Sequence, residues 1–210
     1  MTHLTRIATV FAALAAGTAC STATVDNPPS KDPVPAVQLE RGTEAPVGQA
    51  YAFFAGGCFW GVEYYLENVE GVLDVESGFM GGHKDNPSYD DVLTHTTGHL
   101  EAVRVRYDPN RVTYRALAKR FFEIHDPTQA NGQGPDIGNQ YLSAVFVSDT
   151  DEQEVTEALI AQLEARGYDV ATTVRSAATF WKAEGYHQDY YARTGKKPYC
   201  HVPVDRFGDG

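Results

Sequence analysis

Basic residues are scarce in this 210-residue chain, apolar runs are short, and only three cysteines occur. Seventeen Lys and Arg against 28 Asp and Glu leave a formal charge of -11, so no basic stripe is available to neutralise phosphates and a general nucleic-acid binder is excluded. The apolar run over residues 7–16 falls short of the roughly 20 residues that a membrane-spanning helix needs. Preceded by Arg6 and followed by small residues up to Cys20, it reads as an export signal over residues 1–19. No internal repeat is visible. Neither the histidines nor the cysteines show short ligand spacing, so no metal site is expected. Hydrophobic residues at 42% are enough for one globular domain whose core needs no disulfide staples.

Residues 20–48 are rich in Pro, Thr and Ser, with Pro28-Pro29, Pro33, Pro35 and Pro46, and read as a tether. Gly17-Thr18-Ala19-Cys20 is similar to a bacterial lipoprotein processing site, which leaves acylation at Cys20 and simple cleavage as the two alternatives. Both predict an exported, periplasmic protein. The folded domain is expected over residues 49–210. Setting Cys20 aside leaves Cys58 and Cys200, an even pair in an oxidising compartment. They are either a structural disulfide, stabilising by about 2–4 kcal/mol, or a catalytic thiol and the thiol that resolves its oxidised form.

The stretch around Cys58 is the most informative. Tyr51-Ala52-Phe53-Phe54-Ala55 reads as a buried strand stopped by Gly56-Gly57. Val62, Tyr65, Leu66 and Val69 then recur at helical spacing, with Gly71 as C-cap. Cys58 is thereby placed in the first turn of a helix, where unpaired N–H groups and the macrodipole favour a thiolate. The alternative is a buried cysteine that fills space.

Leu73, Val75, Ser77 and Phe79 alternate along a second strand, and a long loop covers 83–98. The strand over 100–107 sets Glu101, Val103, Val105 and Tyr107 on one face. A carboxylate there is paired with a cation, held protonated by desolvation, or a rim residue with its head in water. A helix from Thr113 buries Leu117, Ala118, Phe121 and Phe122, and a Gly, Asn and Gln-rich loop follows over 128–140. Next come a strand over 141–147 and a helix capped at Asp149 or Thr150, with Val155, Leu159 and Leu163 inward. A strand over 170–174 and a helical stretch over 178–192 precede a mobile tail carrying Cys200. This order predicts an α+β fold: a two-layer α/β sandwich with a ferredoxin-like split β-α-β core and a mostly antiparallel mixed sheet.

Gly57-Cys58-Phe59-Trp60-Gly61-Val62-Glu63 resembles the signature of the A-class peptide-methionine (S)-S-oxide reductases. Further blocks follow in the family's order: Gly78-Phe79-Met80-Gly81-Gly82, Asn86-Pro87-Ser88-Tyr89, Thr97-Gly98-His99-Leu100-Glu101, Tyr107-Asp108-Pro109, Asp136-Ile137-Gly138-Asn139-Gln140-Tyr141 and Tyr186-His187-Gln188. The resemblance implies that Cys58 is the nucleophile and Glu101 the acid beside the sulfoxide oxygen. Tyr89, Asp136 and Tyr141 are implied hydrogen-bonding groups of the pocket, with Phe59 and Trp60 as the wall for the substrate methyl. A thiol displaces a sulfoxide oxygen only when that oxygen gains a proton or strong hydrogen bonds, and a carboxyl kept protonated by an apolar site can supply them. Cys200 is implied as the resolving thiol, with a thioredoxin-like dithiol as external reductant and no cofactor; the enzyme is expected to be a monomer.

Two departures stand out. The tail Cys200-His201-Val202-Pro203 offers one cysteine where many members carry two, implying a single resolving step. Phe79 stands where Tyr is frequent, so it is given no polar role. Two other classes compete: a cysteine hydrolase using His83, His95, His99, His125 or His187 as base, and a binding lipoprotein stapled by Cys58 and Cys200. His187 is expected to be a structural hydrogen-bonder in the last helix.

Overall fold

The computed structural model describes residues 44–208; the export signal, Cys20 and most of the tether lie outside the described residues. In chain order the elements are β1 (Ala50–Gly56), α1 (Phe59–Glu67), β2 (Val72–Met80), α2 (Tyr89–Leu93), β3 (Leu100–Tyr107) and α3 (Tyr114–Ile124). Then follow β4 (Gly132–Gln133), β5 (Asp136–Ile137), β6 (Ser143–Val147), α4 (Thr150–Ala165), β7 (Thr173–Ser176), β8 (Trp181–Lys182) and α5 (Tyr190–Thr194). The main sheet runs β7-β6-β1-β3-β2-β8. Its pairings are antiparallel except the parallel edge pair β6–β7. The inner order β6-β1-β3-β2 is the split β-α-β core, so the predicted two-layer α+β fold is the one formed.

Period-2 alternation in β1 divides the core between the two sheet faces. Ala52 and Phe54 point to the helix side, packed with Val62, Leu66, Val103, Leu117, Phe121 and Leu159. Phe53 and Ala55 point to the other side, against Met80, Leu100, Phe146 and Phe180. Helix α3 is fastened at its start by Thr113, whose hydroxyl accepts from the Ala116 N–H, and α4 by Asp149 accepting from Glu152. Phe121 stacks on Phe54 with ring centroids 4.9 Å apart, locking α3 to the central strand.

The last third of the domain departs from the sequence reading. Residues 178–192 are not one helix: Trp181-Lys182 form β8, paired with Phe79 and Gly78 of β2, and only Tyr190–Thr194 are helical. The cause is tertiary. A Cβ at Gly78 would lie 2.4 Å from both the Phe180 ring and the Trp181 carbonyl, so the absent side chain is what lets this segment dock. Similarly, the 141–147 strand starts at Ser143 because Asn139–Tyr141 form a 3-10 turn. The strand expected over 170–174 moves to Thr173–Ser176, where it finds β6. Short elements α2, β4 and β5 interrupt the two long loops. No helix among the described residues is long and apolar enough to cross a membrane.

Candidate active site

Cys58 is the N-cap of α1, 7% exposed, and its side chain makes no capping hydrogen bond. The first-turn N–H groups that a cap would have satisfied serve the site instead. Phe59 N–H donates to Glu101 Oε2 at 3.0 Å, and the nearby Trp60 N–H favours the Cys58 thiolate. Gly57, at φ 91°, makes the sharp turn that presents the cysteine, and a Cβ there would fall 2.3 Å from the Gln133 side chain.

The expectation that the helix terminus alone makes this thiol acidic is corrected by its surroundings. A hydrogen bond with Cys200 is the largest influence and burial the next, and together they push the Cys58 thiol up. Two thiols sharing one site resist ionising together.

Glu101 lies on β3 opposite Phe79 and is 1% exposed, which removes the rim alternative. Burial first, then the nearby Cys58, hold its carboxyl well above the usual range. Burial therefore favours its protonated form. Tyr89 and Tyr141 face it: burial, then the charge of Glu101, push the Tyr141 phenol up to about 12 and the Tyr89 phenol higher than usual. Both hydroxyls remain hydrogen-bond donors across the physiological range.

Phe59 packs between Phe79 and Tyr89, with centroids 5.8 and 6.4 Å away. Trp60 stacks on Tyr190 at 3.8 Å, and its indole N–H donates to His187 Nδ1 at 3.1 Å. His187 thus does bond structurally, as the sequence suggested, though from a turn and not from a helix. Tyr190 and Tyr199 carry no sequence signal of their own. Tyr199, 61% exposed, donates its hydroxyl to both Asp136 oxygens at 3.1 and 3.2 Å.

Cys200 does not have to swing in from a mobile tail. It is 7% exposed and already beside Cys58, with both thiols free. The tail is held by Phe207, buried beside α3, by a Val204 N–H bond to the Glu123 carbonyl at 2.8 Å, and by a bond from Arg166 to the Phe207 carbonyl. These anchors sit after Cys200, where composition had suggested looseness. Cys58 Sγ, Cys200 Sγ and an Asp136 oxygen all lie within 4.8 Å of one another, and among the described residues this is the one group that could hold a metal ion. Sequence spacing had not announced it, because the three come from α1, β5 and the tail.

None of the five histidines considered as a base for Cys58 reaches it. His95 bonds Gln140, His99 bonds Gly82 and Lys84, and His125 bonds Phe121 and Ser143. The hydrolase alternative loses its base. The histidine that does touch a thiol, His201, was not among those candidates.

A model of the family "Peptide methionine sulfoxide reductase" matches residues 50–209. Among curated proteins, "Peptide methionine sulfoxide reductase MsrA" of Deinococcus radiodurans is 44% identical over 163 residues, covering 76% of this chain and 79% of that protein. Among solved structures, Mxr1 from Saccharomyces cerevisiae in reduced form aligns with TM-score 0.71 at 32% identity, covering 76% of this chain and 94% of that one. Mxr1 in complex with Trx2 shares the fold at TM-score 0.51 and 23% identity, over 76% of this chain and 92% of that one.

Proposed function

This chain belongs to the peptide methionine sulfoxide reductase family, and on that premise we propose that it reduces the S epimer of methionine sulfoxide, peptide-bound or free, at the Cys58–Glu101 pocket. The observation that carries the reading is a buried carboxyl, held well above its usual range by desolvation and tied to the same helix turn that presents the thiol. Phe59 N–H occupies Oε2, which leaves Oε1 to carry the proton. Glu101 gives that proton to the sulfoxide oxygen as Cys58 sulfur attacks the sulfoxide sulfur, and the proton lost by the Cys58 thiol restores the carboxyl. Tyr89, Tyr141 and Asp136 orient that oxygen, and Phe59 and Trp60 wall the methyl group. The net result is methionine and a sulfenic acid on Cys58, the thiol having supplied both electrons.

Cys200 then condenses with the sulfenic acid, and water leaves. The resulting disulfide needs an external dithiol and no further cofactor. A thioredoxin-like protein fits that need, and Mxr1, whose fold is shared, is solved with Trx2. The direct test is mass spectrometry of S- and R-methionine sulfoxide peptides incubated with enzyme and dithiothreitol. Conversion of the S peptide alone is expected; equal turnover of both, or of neither, would sink the assignment.

The enzyme's site of action is proposed from residues 1–19 and Cys20: export to a bacterial envelope, acylation of Cys20, and repair of oxidised envelope proteins by a monomeric domain on the 20–48 tether. One acyl chain binds membranes only marginally, so durable anchoring calls for the several chains of a lipoprotein terminus. Intact-mass analysis of the mature protein should show an acylated Cys20. An unmodified N-terminus beyond Cys20 would make it a soluble periplasmic enzyme instead.

A further inference from the structure

We propose that His201 is the catalytic base that takes the proton of Cys200 as this thiol condenses with oxidised Cys58, a role that rests on the reductase reading above. His201 Nε2 is 2.7 Å from the Gly56 carbonyl oxygen, and Nδ1 is 3.0 Å from Cys200 Sγ. A carbonyl only accepts hydrogen bonds, so Nε2 carries the ring proton. A neutral imidazole has one such proton, which leaves the Nδ1 lone pair facing the thiol. The Cys200 S–H is therefore the donor in that contact.

The ring is built into the fold. His201 is 1% exposed, and its own carbonyl accepts from the Tyr65 hydroxyl at 3.4 Å. Room for it comes from Gly61 inside α1, where a Cβ would lie 2.1 Å from Nδ1. Glycine within a helix costs about 0.5–1 kcal/mol relative to alanine, and here the missing methyl group is the space the imidazole occupies. Burial also pushes His201 down to about 4, against the opposing influence of the Gly56 carbonyl and Asp136, so the ring stays neutral at physiological pH. His125 is the other imidazole that it feels.

Cys58-SOH and Cys200-SH give the Cys58–Cys200 disulfide and water. The S–S bond forms as the Cys58 S–O bond breaks, and the oxygen leaves with that electron pair. The Cys200 proton passes to Nδ1 and from there to the departing hydroxide, which leaves as water, so the imidazole returns to its neutral form. Cys200 sulfur is oxidised and Cys58 sulfur reduced, so no further oxidant enters. A thiol becomes strongly acidic as its sulfur gains a third bond, so even a weakly basic nitrogen suffices when it is already in contact.

Replacing His201 by Gln keeps an amide donor for the Gly56 carbonyl but no basic nitrogen at Nδ1. In a single turnover, His201→Gln should form the disulfide about 100-fold more slowly than the wild type, so that methionine release runs ahead of it and a dimedone-trappable sulfenic acid accumulates. His201→Ala should be slowed at least as much. If Gln restores wild-type disulfide formation while Ala does not, His201 is only an anchor and the base is overturned. A wild-type enzyme that releases no methionine would instead sink the reductase reading and this role with it. Independently of any variant, nitrogen-15 NMR of the reduced wild-type protein should find His201 protonated on Nε2; protonation on Nδ1 alone would overturn the proposal.

Discussion

Cys58→Ser should abolish methionine release, whereas Cys200→Ser should release about one equivalent per enzyme in a single burst and then stall with a thioredoxin-type reductant. The two variants separate the halves of the cycle. Oxygen removal needs only Cys58 and the groups around it, and a serine hydroxyl can neither supply the two electrons that the thiol sulfur gives up nor become a sulfenic acid. Resolution needs the second thiol, which already lies beside Cys58 in the reduced protein. Removing it leaves the tail anchored through Phe207 and Val204, so the fold should persist and the first half-reaction should run. The stalled Cys200→Ser species should react with dimedone, and Cys58→Ser should show neither burst nor adduct. Quenched-flow methionine release and mass spectrometry read both. Normal thioredoxin-linked turnover by Cys200→Ser would remove it as the resolving group, and unfolding of that variant would favour a structural pair.

Glu101→Gln is expected to slow reduction about 100-fold and Glu101→Ala about 1,000-fold, within the range seen for lost general acids. The amide can still accept from Phe59 N–H and donate to the sulfoxide oxygen, but it cannot release a proton. Alanine loses both contacts and leaves the Phe59 N–H unsatisfied in a buried site, which costs roughly 1–3 kcal/mol. The wild-type rate should fall as pH rises through the raised Glu101 value, because the acid form is then lost. Stability should move oppositely for Gln. The folded protein holds a proton that the unfolded chain gives up above about pH 4.3, so this group's stabilising contribution is complete below that value and is lost as pH rises through the folded one. Glu101→Gln removes the penalty, so its melting temperature at pH 8 should match or exceed that of the wild type while its rate drops. Single-turnover rates and thermal denaturation decide between chemistry and folding. Equal rates for all three proteins would show that the carboxyl is not the acid.

Local pattern was sufficient for the core of this reading. Alternation in Phe53-Phe54-Ala55 and the helical spacing of Val62 and Leu66 are set by bonds between near neighbours, so they are visible without a fold. The same holds for Cys58 at a helix start and Glu101 on an apolar strand face. The family blocks, matched over residues 50–209, gave those positions their chemistry. What the pattern could not carry were contacts between distant parts of the chain. The Gly78 gap that turns residues 181–182 into a strand, Trp60 held by His187 across 127 positions, and Tyr199 on Asp136 leave no periodic trace. The ionisation of Cys58 escapes local pattern for the same reason: a helix terminus acts within one turn, whereas desolvation and the facing Cys200 depend on how the tail packs. Only the tertiary structure decided that Cys200 and His201 meet Cys58 and Gly56, because Phe207, Val204 and the hollow at Gly61 bring the end of the chain onto the first strand and helix.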